Sequence, residues 1–246
     1  MTLINICAGV PSVDPQLSYQ TAASEDRANT GSTGGRSKRS IGNHSKFWAQ
    51  RRTIDVAFLS SNLEFIEFAK EEISDWTPHI NLNIRFVEGT KGDIRISDST
   101  ELTGHWSCIG TDALTVPADE PTLHIDLTTM EMPWHVAMLH EFGHALGLEH
   151  EHQHPEANID WNTPKVYEAF ENAGHSKDTI YRNIFRTLEL TDKQISPYDK
   201  QSIMHYHFPA ELIWDGTDYP MNKKLSEKDI SFISSIYPRN TDPIPS

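Results

Sequence analysis

Three histidines stand in the run His140-Glu-Phe-Gly-His144-Ala-Leu-Gly147-Leu-Glu-His150. On a helix His140 and His144 are i and i+4, so both imidazoles leave one face at a separation that a single metal ion can bridge. Glu141 lies on the adjacent flank. Gly147 has no Cβ and can take a left-handed conformation, which ends the helix and turns the chain back so that His150 supplies a third nitrogen. Three protein nitrogens leave the fourth position of a tetrahedral zinc site open to water, the arrangement of catalytic rather than structural zinc. Zinc there lowers the pKa of water from about 15.7 toward about 7 and polarises a carbonyl. Glu141 is placed to take the proton and deliver it to a leaving amine, without a covalent intermediate. A helix with surface histidines gives no reason for this order of residues. A zinc-dependent peptide-binding protein or latent effector that does not turn over is the alternative, but such a chain would most simply lack Glu141.

The elements that must position these residues are legible in outline. The site helix opens near Pro133, whose missing N–H suits a first turn, and stops at Gly147. Thr53–Leu59 reads as a strand, followed by a helix that opens at Ser61-Asn-Leu-Glu64. The spacing of Leu63, Ile66, Ala69, Ile73 and Trp76 predicts the helix, and Pro78 stops it. Leu82–Glu88, Asp93–Ser97 and Thr122–Leu127 read as further strands. Strand, helix and then several strands imply a mixed sheet with a helix packed behind it. Thr163-Pro164 opens a helix ending by Gly174, and a capping-box-like Ser226-Glu-Lys-Asp229 opens a last helix with Ile230, Ile233 and Tyr237 on one face.

Composition excludes several classes. The chain has 246 residues and a net charge of −14. Residues 1–52 carry seven basic and three acidic side chains, a balance of +4, so the rest carries −18. An acidic body repels phosphate backbones, which argues against nucleic acid as a partner. No stretch is long and apolar enough to span a bilayer. The start lacks the basic and long apolar regions of a secretory signal, and the compartment stays open. Cys7 and Cys108 allow at most one bridge, between leader and central loop. Residues 20–45, rich in Ser, Thr, Gly and Asn, read as a flexible linker. The expected division is a leader over 1–46, a catalytic domain over 47–240 and a tail over 241–246.

At this point the residues resemble the metzincins, and within them the astacin family, whose motif runs H-E-x-x-H-x-x-G-x-x-H-E. Glu151 matches its last position. Ser202-Ile-Met204-His-Tyr206 is similar to the family's Met-turn. The resemblance implies that Met204 floors the zinc, and that Tyr206 ligates it at rest and swings away to stabilise the oxyanion. Gly104-His-Trp-Ser-Cys-Ile-Gly110 is similar to the strand region along which substrate lies extended, with His105 in place of one usual cysteine. The family usually carries two disulfides, which two cysteines cannot supply. The fold implied is α+β and two-lobed: a mixed twisted sheet, a backing helix and the active-site helix above, and a smaller C-terminal lobe with the Met-turn and terminal helix. The function implied is a monomeric metalloendopeptidase with one catalytic Zn2+ and a protein or peptide substrate. A matrixin-like metzincin is disfavoured by Glu151 and Tyr206. The segment between His152 and Asp199 matches loosely, and His152 and His154 read as solvated or substrate-rim residues rather than ligands.

Arg36-Ser-Lys-Arg39 reads equally as a charged linker or a processing site. The resemblance implies a mature start near residues 39–40, whose ammonium pairs with Glu151. The stretch from Cys7 to Asp14 faintly resembles a cysteine switch of the matrixins, but the match is loose and Cys7 reads rather as an unpaired leader cysteine.

Overall fold

The computed structural model describes residues 10, 13–30, 44–129, 132–189 and 196–239. Its centre is a five-stranded sheet of β1 (Thr53–Phe58), β2 (Asn83–Phe86), β3 (Ile94–Ser97), β4 (Trp106–Ser107) and β5 (Leu123–His124). The spatial order is β2-β1-β3-β5-β4. β1 pairs in parallel with both β2 and β3, with Val56 opposite Phe86 on one side and Ile94 on the other. β5 continues the parallel pattern beside β3, and β4 closes the edge antiparallel to it. All four residues of β3 are buried, as expected of a parallel strand covered on both faces. The strands are shorter than the alternating runs predicted, because pairing ends before the apolar pattern does.

α2 (Leu63–Ser74) packs Phe65, Ala69 and Ile73 inward, a spacing of four, while Leu63 is exposed. Its cap is Asn62, whose Oδ1 accepts the Phe65 N–H at 3.2 Å, rather than the expected Ser61. α3 (Trp134–Ala145) is buried at every position from Val136 to Ala145 and lies against α2, β4 and β5. One apolar core joins the sheet, α2, α3, Met204, Ile233 and Tyr237. A second, smaller core gathers Val166, Phe170, Ile184, Tyr206, Phe208 and Leu212 around α4 (Thr163–Asn172) and α5 (Lys177–Ile180). The two cores are the two lobes expected. α4 ends before Gly174, which takes φ +91°. α6 (Glu227–Ile236) opens with the predicted capping box: Ser226 Oγ accepts the Asp229 N–H, and Asp229 Oδ2 accepts the Ser226 N–H, both at 2.9 Å.

The linker reading fails for part of its length. α1 (Pro15–Glu25), capped by Asp14, and the turn Arg27–Thr30 pack on the body beside the turn Gly110–Thr115. Composition misled here because the segment is held by buried polar groups: Asn29 is 1% exposed and hydrogen-bonded. Cys7 and Arg36-Ser-Lys-Arg39 lie outside the described residues. Cys108 is a buried free thiol, and burial pushes its pKa up to about 12, which makes it inert. Among the described residues no helix is long and apolar enough to cross a membrane.

Candidate metal centre

α3 carries His140, Glu141 and His144, each 2% exposed. Gly147 takes φ +103°, and the Leu148 N–H returns to Gly143 O at 3.0 Å, so the chain folds back as its glycine predicted. That turn brings His150 to the other two histidines. One ring nitrogen from each of the three lies within 4.8 Å of the others. His144 Nε2 and His150 Nε2 are 3.0 Å apart. Among the described residues no other group of three His, Cys, Asp or Glu converges in this way.

The donor set fits a zinc ion. His140 Nδ1 donates to Ile203 O at 2.8 Å, and His144 Nδ1 donates to Leu148 O at 2.7 Å. A carbonyl can only accept, so these bonds place the proton on Nδ1 and leave the Nε2 lone pair for a metal. His140 Nε2 is buried with no hydrogen-bond partner. Burial holds the rings neutral, the form that ligates: it pushes His140 down to about 4 and His144 to about 3, the latter helped by His140, and it lowers His150 strongly.

The Met-turn lies directly beneath. A Cβ at Gly143 would come within 2.4 Å of Met204 Sδ and 3.2 Å of Trp76, so only glycine lets the methionine sit against α3 between His140 and His144. Asp229 of α6 fixes the turn by accepting from Ser202 Oγ at 2.6 Å and from the Ile203 N–H at 2.8 Å. The same Ile203 carries the carbonyl that orients His140. Tyr206 is buried with its ring 4.3 Å from that of His150 and 5.7 Å from that of His140.

One expectation needs correcting. His152 and His154 are buried rather than solvated, at 4% and 5% exposure. His152 Nε2 donates to Asn183 O at 2.8 Å, and its ring stacks on Tyr206 at 4.6 Å. The cover comes from the turn Tyr181–Phe185 after α5, a stretch whose loose sequence match gave no warning. His205 was also missed. It donates from Nδ1 to Tyr206 O at 2.7 Å, accepts from Tyr198 at 2.8 Å and stacks on Tyr219. Its place between Met204 and Tyr206 was the available signal.

Glu151 lines a cavity together with Phe47, His154, Asp199, Met204 and Asp229. Its Oε1 accepts the Asp199 N–H at 2.7 Å. Burial, reinforced by the charges of Asp229 and Asp199, pushes its carboxyl up to about 8. On the other side of the site, β4 is the free edge of the sheet, as the Gly104–Gly110 region predicted.

A mixed sheet backed by one helix, crossed by a second that carries two of three convergent histidines and floored by a methionine turn, defines a metzincin metallopeptidase. The family model for the astacin peptidases matches residues 40–213. The chain belongs to the astacin family of zinc metalloendopeptidases. A structure of myroilysin is 33% identical with a TM-score of 0.73, covering 79% of this chain and 97% of that one. A second myroilysin crystal structure is also 33% identical, with a TM-score of 0.60 and coverage of 87% and 96%. High choriolytic enzyme 1, a hatching-enzyme zinc-protease from the medaka fish Oryzias latipes, shares the fold at 22% identity and a TM-score of 0.52, over 78% and 94% of the two chains. No curated protein sequence matches the chain.

Proposed function

We propose that this chain cleaves internal bonds of a peptide laid along β4, with His140, His144 and His150 holding one zinc ion that Tyr206 also ligates at rest. The observation that carries this reading is the convergence of three buried, neutral imidazoles, two of which commit their outer nitrogens to carbonyls. Zinc bound there supplies a Lewis acid for the scissile carbonyl and brings the pKa of a water from about 15.7 toward about 7. Glu141 takes the proton of the attacking water and hands it to the leaving nitrogen. Its burial beside His140 keeps bulk water from competing for that proton. The Tyr206 hydroxyl donates to the oxygen on which charge develops, and so acts in the transition state. The partner is an extended peptide rather than a nucleic acid, in keeping with the acidic body. The enzyme works as a monomer. Glu151 accepts a freed amino terminus near residue 40, where an ammonium would offset the cost of a buried carboxylate.

Metal analysis combined with peptide cleavage tests the reading. The dialysed protein should hold one zinc per chain, and His144→Ala should lose most of it. Glu141→Gln should retain zinc while turnover falls about 10²–10⁴-fold. Full turnover by Glu141→Gln, free of contaminating protease, would refute the base. Full zinc in His144→Ala would refute the ligand set.

A further inference from the structure

Residues 13–30 are joined to the body at three places by buried or half-buried side chains. Asn29 is the central one. Its Nδ2 donates to Ala22 O at 3.0 Å inside the leader and to Phe47 O at 2.8 Å across the junction. Its Oδ1 accepts from Ser45 Oγ at 2.9 Å and from the Phe47 N–H at 3.1 Å, and its carbonyl accepts the Ser45 N–H at 3.1 Å. One amide therefore pairs with both backbone groups of Phe47, as a neighbouring strand would. Glu25 accepts the Ala49 N–H at 3.0 Å and Arg52 Nη1 at 2.8 Å. Ser18 Oγ donates to Asp112 at 2.6 Å, and Lys46 Nζ holds the other oxygen of the same carboxylate at 2.6 Å. Ala22, fully buried, fills the contact between these anchors.

The body side of this junction leads straight to the site helix. Lys46 O accepts the Thr111 N–H, Phe47 abuts Gly147, and Trp48 Nε1 donates to Ala145 O at 2.8 Å. Stripping away residues 13–30 would uncover the backbone of Phe47, the Ala49 N–H and the Asp112 carboxylate together, giving up several intramolecular hydrogen bonds to water at once. A cut between residues 31 and 43 would break a covalent link but none of these bonds.

We propose that residues 13–30 are a retained part of the folded enzyme rather than a removable cover. After cleavage in 31–43 they stay bound, docked on the face made by Ser45–Arg52 and the turn Gly110–Thr115. Processing at Arg36-Ser-Lys-Arg39 would then free an amino terminus near residue 40 without shedding the helix. This stands independently of the peptidase reading, since its readout is association and not turnover.

The test is to place the recognition sequence of a site-specific protease within residues 36–40 of the full chain. The folded protein is then cut and passed through gel filtration with intact-mass detection. The two fragments should co-elute in native buffer and separate in denaturant. Asn29→Ala should weaken retention about 10-fold or more, because it removes several buried hydrogen bonds at once. In the uncut chain the same change should lower Tm by about 2–4 °C or more. A leader fragment that runs free immediately after cutting in native buffer would overturn the proposal. So would an Asn29→Ala chain that melts with wild type and keeps its leader.

Discussion

Replacing Gly147 by alanine adds one methyl group where α3 ends and the chain turns toward His150. Two costs follow, and they can be separated. Gly147 has φ +103°, a region that L-residues rarely adopt, at about 1–3 kcal/mol. The new Cβ would also meet Phe47 Cδ1 at 2.7 Å and Cε1 at 3.1 Å, and Phe47 is packed in the core. Relieving such a contact costs about 1–3 kcal/mol more. Gly174 provides the control, because it has φ +91° and nothing within 4 Å of an added Cβ. Gly174→Ala should therefore show the backbone cost alone, and Gly147→Ala a total of about 2–6 kcal/mol. Chemical unfolding of the zinc-free proteins measures both. Where the turn yields instead of the core, His150 moves and zinc affinity falls by about tenfold for each 1.4 kcal/mol absorbed there. Phe47→Leu in the Gly147→Ala background should recover part of the loss, with a coupling of about 0.5–3 kcal/mol. Equal destabilisation by the two glycine substitutions, with zinc affinity unchanged in both, would show that the contact with Phe47 carries no energy and refute this reasoning.

Two further outcomes are expected. His105 is buried with its pKa pushed down to about 4, while the unfolded chain protonates near 6.5. The unfolded state thus binds more protons between these values, and stability falls as pH drops from about 6.5 to about 4, by about 3 kcal/mol for this group. His105→Asn, whose Oδ1 can still accept the Asp126 N–H, should flatten the stability–pH curve in that window, and parallel curves would refute the assignment. Tyr206→Phe should lower kcat with little change in KM if its hydroxyl acts in the transition state as proposed, and a rise in KM alone would count against that role.

The sequence exposed the site more fully than the fold around it, for physical reasons. The i, i+4 histidines and the glycine turn are local geometry, and local geometry is written in spacing. The capping box at Ser226 and the stop at Gly174 were legible for the same reason. Asn29 was not. A buried asparagine is stable only because Phe47, eighteen residues away, offers both a donor and an acceptor, and composition cannot see that partner. Burial of His152 depends in the same way on Arg182 and Asn183, which pin the His152–Gln153 turn through their carbonyls. Leu63 shows the reverse error. It fits the helical spacing, yet it opens the first turn of α2 and is exposed, while Phe65, Ala69 and Ile73 make the buried face.

The glycine turn also explains how a chain with two cysteines holds a site that relatives commonly brace with disulfides. A helix leaves its last carbonyls without partners inside the helix. In α3 the turn itself satisfies Gly143 O and His144 O, through the Leu148 and Gly147 N–H groups. Ala145 O accepts from Trp48 Nε1 at 2.8 Å, and Leu146 O accepts from the Tyr237 hydroxyl at 2.7 Å. The Tyr237 oxygen also accepts the Trp48 N–H at 3.0 Å, so both aromatics belong to one buried unit. These contacts span 97 and 91 residues, which are long-loop closures of the kind a disulfide would make. Each buried bond contributes about 0.5–1.5 kcal/mol net, and losing one partner costs about 1–3 kcal/mol. Three together match the roughly 2–4 kcal/mol of a typical disulfide. The two ends of the catalytic domain therefore meet at the last turn of the helix that carries His140 and His144. Loosening either end should loosen the metal centre first, before the sheet gives way.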